Sequence, residues 1–319
     1  MLFTCEQPEG QARDPGELER IIGQAYEAGR ARTQTGTVAS YIPELAKVDG
    51  REFGICARNL AGETIAFGDT EKRFSIQSIS KVLNLAAALT FLGVRGTFAH
   101  VRMEPTGDAF NSILKLDTVS DLPFNPMINA GAIQVMSLLS NIIDFEQLLC
   151  FARAFCMDEQ IQLNEAVYHS EAETGDRNRA IVYLLKSKGV LQGDPDKTVD
   201  LYFRMCSLNV NARSLANMGL LLANGGVNPF TGQRMIQTDH VRILRSLMLT
   251  CGLYDESGAY GVWVGIPSKS GVGGGIMGSV TRQWGIGTYG PALNEKGNSA
   301  GGIAALRYMS QALGLNIFA

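Results

Sequence analysis

Residues 74–83 read FSIQSISKVL, and the apolar positions that follow, Val82, Leu83, Leu85, Ala86 and Leu89, recur at the spacing of one helix face. The stretch predicts a helix that starts at Ser78 and ends near Gly93. Residues three apart on a helix are neighbours, so Ser78 and Lys81 share a face at its beginning. A serine hydroxyl is a poor nucleophile at neutral pH and needs an adjacent base. Lysine can be that base once burial or a nearby cation lowers its pKa. Amide groups at a helix start can also stabilise an oxyanion. The plain alternative is a capping serine beside a solvated lysine, and S-x-x-K alone does not decide between them.

Outward from this helix the pattern changes twice. Upstream, 15–35 and 37–47 carry helical spacing, and Phe53–Arg58 and Thr64–Phe67 flank a Gly-containing turn, which predicts a β-hairpin. Downstream, helical patterns run to about residue 250, over 128–141, 145–156, 177–187, 198–207, 211–223 and 239–250. Strand patterns return at Tyr260–Ile266, Ile276–Thr281 and Trp284–Tyr289, before a last helix over 299–313. Strands at both ends with helices between predict an α+β fold. One mostly antiparallel sheet is flanked by helices, with a helical subdomain beside it and a ligand cleft between.

Composition sets the outer limits. The 319 residues are 45% hydrophobic and 18% charged, enough for a real core without metal or disulfide staples. The formal net charge of −3 and the lack of any basic run exclude attraction to nucleic acid or an anionic membrane. The 36 glycines, about 11% against a typical ~7%, point to tight turns and close backbone approach. Cys5, Cys56, Cys150, Cys156, Cys206 and Cys251 form no C-x-x-C pair and read as buried free thiols. Three scattered histidines give no metal spacing. The acidic N-terminus is neither signal nor transit peptide, and the charge-free run 122–143 is broken by prolines and asparagines, so the expected location is cytoplasmic.

A second chemical motif is Lys269-Ser270-Gly271-Val272, after the run 261–266. A cation, a hydroxyl and a glycine at a strand edge can face the helix carrying Ser78. The pair S-x-x-K and K-S-G, in this order around a helical region, resembles the serine acyl-transfer enzymes of the β-lactamase and penicillin-binding group. Gly273–Gly278 fits G-x-G-x-x-G, but strands follow it where a dinucleotide site needs a helix. Ser207-Leu208-Asn209 closes a predicted helix and is dismissed as an S-x-N element, and His169 near Glu171 offers no credible triad. Asn129 reads as the N-cap of an apolar helix, and 170–178 as a solvated loop ahead of a helix starting near Arg179.

The longer strings go further. FSIQSISKVL, NPMINAGAI, SEAETGDRN, YFRMCS, LANGG, CGLYD, PSKSGVGGGI and GNSAGG occur in order over residues 74–302, preceded by YIPELA and FGICARNLAGETIAFGD. Together they resemble the serine-dependent glutaminase family, with its β-lactamase-like fold, over about residues 24–315. The resemblance implies hydrolysis of L-glutamine to L-glutamate and ammonia through a glutamyl-enzyme, without cofactor or metal. It places the nucleophile on Ser78, its lysine on Lys81 and an assisting hydroxyl on Tyr254, with Lys269 in support. Substrate contacts fall on Ser78, Asn129, Glu171, Asn178, Tyr202, Tyr254 and Val272. It further implies one catalytic domain over 1–319, an α/β half at about 24–77 and 225–319 and a helical half at about 78–224, assembled as a homodimer or homotetramer. Leu83-Asn84 and the stretch 108–121 depart from the family pattern, and the lack of long terminal extensions suggests a bacterial type. A β-lactam hydrolase, which would cleave nitrocefin, and a non-catalytic amino-acid-binding protein are the rival readings.

Overall fold

The central sheet brings the two ends of the chain together. In the computed structural model, which describes residues 15–106 and 122–319, strands β1 (Gly54–Asn59) and β2 (Thr64–Gly68) form the expected hairpin. Strands β5 (Ser268–Ser270), β6 (Gly275–Val280) and β7 (Trp284–Tyr289) complete a sheet in the order β2-β1-β7-β6-β5, antiparallel throughout. The expectations for Cys5 and for 108–121 lie outside the described residues. Two-residue strands β3 (Phe74–Ser75) and β4 (Asn209–Val210) pair separately and pin the approach to Ser78 beside the end of the helix Pro195–Cys206. They are too short to carry an alternating pattern.

Helices cover both sheet faces. Pro15–Arg32 and Ala300–Leu313 bury Ile22, Ala25, Leu306 and Met309 against Ile55, Ile276 and Ile286. The helix Ala212–Ala223 lies on the other face, and the β7 glycines make that contact possible. A Cβ on Gly285 would stand 1.9 Å from the Ala216 carbonyl oxygen, and one on Gly287 2.0 Å from that of Ala212. Any side chain at these two positions would push the helix off the sheet. Part of the glycine excess is thus a packing requirement.

The helix Ser80–Phe98 is the axis of the helical region. It is long and apolar enough to cross a membrane, yet residues 80–89 are buried within the protein. Its regular turns break at Gly93, where φ is 71°, matching the expected end. Asn129–Leu139, Phe145–Cys156, Pro195–Cys206 and Thr238–Cys251 surround it in one large apolar cluster. Asp144 with Gln147, and Asn211 with Ser214, close reciprocal capping boxes that fix two of the starts.

Three local expectations are corrected. Over 37–47 only Pro43–Lys47 is helical, as a 3-10 turn, because the residue before a proline avoids the helical region and Ile42 is extended at φ −110°, ψ 108°. The run 260–266 is not a strand: Ser257–Trp263 is a helix leading into β5, and packing that buries Tyr260 and Val264 in the core overrides the strand propensity of the run. The polar stretch 170–178 is not a solvated loop. The helix Glu165–Thr174 runs through it and the helix Asp176–Ser187 starts after Gly175 alone. Among the described cysteines all five are free, four buried and Cys150 exposed.

Candidate active site

Ser78 lies in a single 3-10 turn, Gln77–Ile79, immediately before the helix that carries Lys81. Lys81 Nζ donates to Ser78 Oγ at 2.7 Å, and both side chains are buried. Burial lowers the Lys81 pKa to about 8 against the opposing pull of Cys206 and Glu171. Removing a proton from an ordinary lysine at pH 7.5 costs about 4 kcal/mol, and at a pKa near 8 under about 1 kcal/mol. A buried hydroxyl and a nearly neutral amine in contact can act chemically as nucleophile and base.

The edge strand β5 supplies the opposite wall. Lys269 is fully buried, and its Nζ donates to the carbonyls of Ser270 at 2.7 Å and Gly252 at 2.9 Å. Burial, reinforced by the charge of Lys81, drives its pKa well below the lysine range. Tyr254 is buried in a left-handed backbone conformation, φ 56°. Burial pushes its phenol up to about 12, against hydrogen bonds with Ser78 and Ser270. Gly271 lets the K-S-G turn close on Ser78: a Cβ there would meet the Ile76 carbonyl oxygen at 2.7 Å and the Ser78 nitrogen at 3.4 Å. Val272, next in sequence, is buried with Tyr254, Ile42 and Leu293 in one small cluster.

Ser78, Asn129, Glu171, Asn178 and Tyr202 line one cavity of about 100 Å3. Glu171 is buried, which raises its carboxyl to about 7 although Gln77 donates to it at 3.3 Å and Lys81 lies nearby. Asn129 is not an N-cap. It is the first residue of its helix, and its Nδ2 donates to Asn178 Oδ1 at 3.0 Å while its own buried Oδ1 has no partner. An orphaned acceptor beside a buried carboxylate suits a ligand bearing N–H donors. Tyr202, on the helix Pro195–Cys206, is buried at the cavity with its ring centre 5.6 Å from Lys81 Nζ.

Tyr41, Gln77, Arg177 and Cys206 also line the cavity and were not singled out from the sequence. Gln77 has one local signal in the sequence, a polar residue directly before Ser78, and in the structure it sits at φ 49°. Cys206 is no rival nucleophile, because burial pushes its thiol up to about 12 and the thiolate is the reactive form. Among the described residues no group of three or more His, Cys, Asp or Glu side chains is arranged to hold a metal.

The glutaminase family matches residues 36–318. The chain is 47% identical over 305 residues to glutaminase 2 of Clostridium perfringens (strain 13 / Type A), covering 94% of this chain and 100% of that protein. It superposes on the probable glutaminase ybaS with a TM-score of 0.90 at 38% identity, over 96% of this chain and 99% of that one. A probable glutaminase from Bacillus subtilis, complexed with 6-diazo-5-oxo-L-norleucine, gives a TM-score of 0.86 at 35% identity, over 96% and 98%. The antiparallel sheet flanked by helices is the β-lactamase-like fold these proteins share.

Proposed function

The chain belongs to the glutaminase family and hydrolyses L-glutamine to L-glutamate and ammonia, and from this we propose that it works by acyl transfer through Ser78. Ser78 Oγ attacks the side-chain carboxamide carbon while its proton passes to neutral Lys81. The carbonyl oxygen becomes an oxyanion, held by the backbone N–H groups of Ser78 and Val272, a few kcal/mol per donor. Lys81, with the Tyr254 hydroxyl as relay, returns the proton to the departing nitrogen. The C–N bond breaks, ammonia leaves and a glutamyl ester remains on Ser78. Water then attacks the ester, its proton takes the same route back to Ser78 Oγ, and glutamate departs.

The observation that carries this reading is the 2.7 Å contact between Lys81 Nζ and Ser78 Oγ with the lysine buried. Glu171, the buried anion of the cavity, takes the substrate ammonium; Asn129, Asn178 and Tyr202 are left for its carboxylate and carboxamide. Lys269 orients Tyr254 through the two carbonyls that frame it. On the same reading the chain assembles as a dimer or tetramer, for which the exposed, neighbouring Val262 and Phe318 offer an apolar surface to cover. Ser78→Ala tests the nucleophile: ammonia release should vanish while glutamine still binds. Retention of more than about 10% of kcat removes Ser78 from the role.

A further inference from the structure

Asn298 is fully buried, and its side-chain amide joins three segments of the site wall. Its Oδ1 accepts the Ser270 hydroxyl at 2.6 Å. Its Nδ2 donates to the Leu253 carbonyl at 3.2 Å and to Glu256 Oε2 at 2.8 Å. Leu253 and Glu256 stand on either side of Tyr254, and Ser270 follows Lys269 in β5. Asn294 braces the same point, donating to Glu256 Oε2 at 2.9 Å and accepting the Asn298 backbone N–H at 3.1 Å. The intervening turn packs directly on the site: a Cβ at Gly297 would lie 3.8 Å from both the Tyr254 ring and Val272.

Tyr254 needs such a brace. A non-glycine residue at φ 56° keeps that conformation only where its surroundings over-determine it. The hydrogen bonds of Asn298 fall on the residue before Tyr254 and on the second residue after it, which fixes the chain at both ends of the strained position. Only a side chain with one acceptor and a two-proton donor on the same planar group satisfies Ser270, Leu253 and Glu256 together. Aspartate would set a second carboxylate against Glu256 and lose both donations.

We propose that Asn298 is a positioning residue for glutamine hydrolysis, clamping the chain on both sides of Tyr254 and tying it to the edge strand that bears Lys269. It touches neither substrate nor nucleophile and acts through Tyr254, so the proposal rests on the reading of Tyr254 as proton relay. A phenol displaced from Ser78 slows proton transfer and leaves the contacts of Glu171, Asn129 and Asn178 with glutamine in place.

The test is ammonia release by the full chain carrying Asn298→Ala or Asn298→Asp, each made alone and in a Tyr254→Phe background, with thermal melts to establish folding. With Tyr254 intact, kcat should fall roughly 10- to 100-fold, the scale of a small misplacement, while KM moves less than about 3-fold. In the Tyr254→Phe background the further loss should shrink to less than about 3-fold, because the two positions act in one unit. If both Asn298 variants fail to fold, Glu256→Ala reads the same clamp at a partly exposed position by the same criteria. Folded variants with kcat within about two-fold of wild type, a loss carried by KM, or an undiminished loss in the Tyr254→Phe background overturn the proposal. Tyr254→Phe with wild-type kcat overturns the relay and the clamp together. A damaged Tyr254→Phe beside an unaffected Asn298→Ala overturns the clamp alone.

Discussion

Lys269 Nζ lies 4.4 Å from the centre of the Tyr254 ring and donates to the carbonyls of Gly252 and Ser270, one on each segment that frames that tyrosine. Burial favours the deprotonated lysine, and a neutral amine still has a proton for each of the two carbonyls.

Replacing it with a side chain of similar length should therefore cost rate before binding. Lys269→Met is expected to lower kcat roughly tenfold or more with little change in KM. A second readout is stability against pH. The folded-state pKa is depressed, so the unfolded chain binds a proton that the fold does not. The contribution of Lys269 to stability is then full only above the ordinary lysine value and is lost as pH falls. The Tm of wild type minus that of Lys269→Met should accordingly rise from pH 7 to pH 10. A difference independent of pH would mean that Lys269 is charged in the fold.

Lys81 is tested by its own titration. With a pKa of about 8, wild-type kcat should climb through that region and level off on its alkaline side. Arginine cannot lose its proton, so Lys81→Arg keeps the charge and removes the base. Its kcat should drop by roughly 10²- to 10⁴-fold. A profile flat from pH 6 to 9 contradicts the assignment. The apparent value belongs to the coupled pair of Lys81 and Tyr254.

Glu171 carries opposite consequences for activity and stability. A charge-assisted hydrogen bond to the substrate ammonium is worth roughly 1.5–3 kcal/mol, so Glu171→Gln should lower kcat/KM about 10- to 150-fold. Glutaramate, which lacks the α-amino group, should be discriminated against strongly by wild type and only weakly by the variant. Additive losses in that cycle would leave Glu171 a structural part of the 165–174 helix.

The raised carboxyl of Glu171 also fixes the sign of its linkage. Its contribution to stability is present below the unfolded carboxylate pKa and is lost as pH rises through about 7. Glu171→Gln should consequently melt a few degrees above wild type at pH 8, with a smaller gain at pH 5. Because the Glu171 charge raises the Lys81 pKa, the same variant should move the kcat rise to lower pH. A melting gain of equal size at both pH values would mean that burial does not raise the carboxyl in the fold.

The legible parts of this chain are those whose signal is local. Ser78 and Lys81 lie three residues apart across a 3-10 turn and the start of a helix, and the strands around Gly62 and 276–289 announce themselves by residue type, so the Ser–Lys pair and most of the sheet follow from short windows. Glu171 was placed by resemblance, whereas the windows around it suggested solvent. Its burial depends on Gln77 and the helix Pro195–Cys206 closing over a polar stretch. Ser257–Trp263 misled for the same reason in reverse. Its β-branched and aromatic residues read as a strand, but Val262 and Trp263 face solvent and the helix serves to deliver the chain to β5. Asn298 falls within GNSAGG, but no local pattern in that string gives it a role, since its partners lie in two other segments, 253–256 and β5.

The central claim is that a covalent bond forms at Ser78, and an active-site-directed diazoketone reads it most directly. The full chain should be incubated with 6-diazo-5-oxo-L-norleucine, with and without saturating glutamine, and the adduct located by peptide mass spectrometry. The account predicts one adduct per chain, on Ser78, suppressed by glutamine and absent from Ser78→Ala. Stoichiometric labelling of Cys206 or Tyr254 with Ser78 unmodified would contradict it.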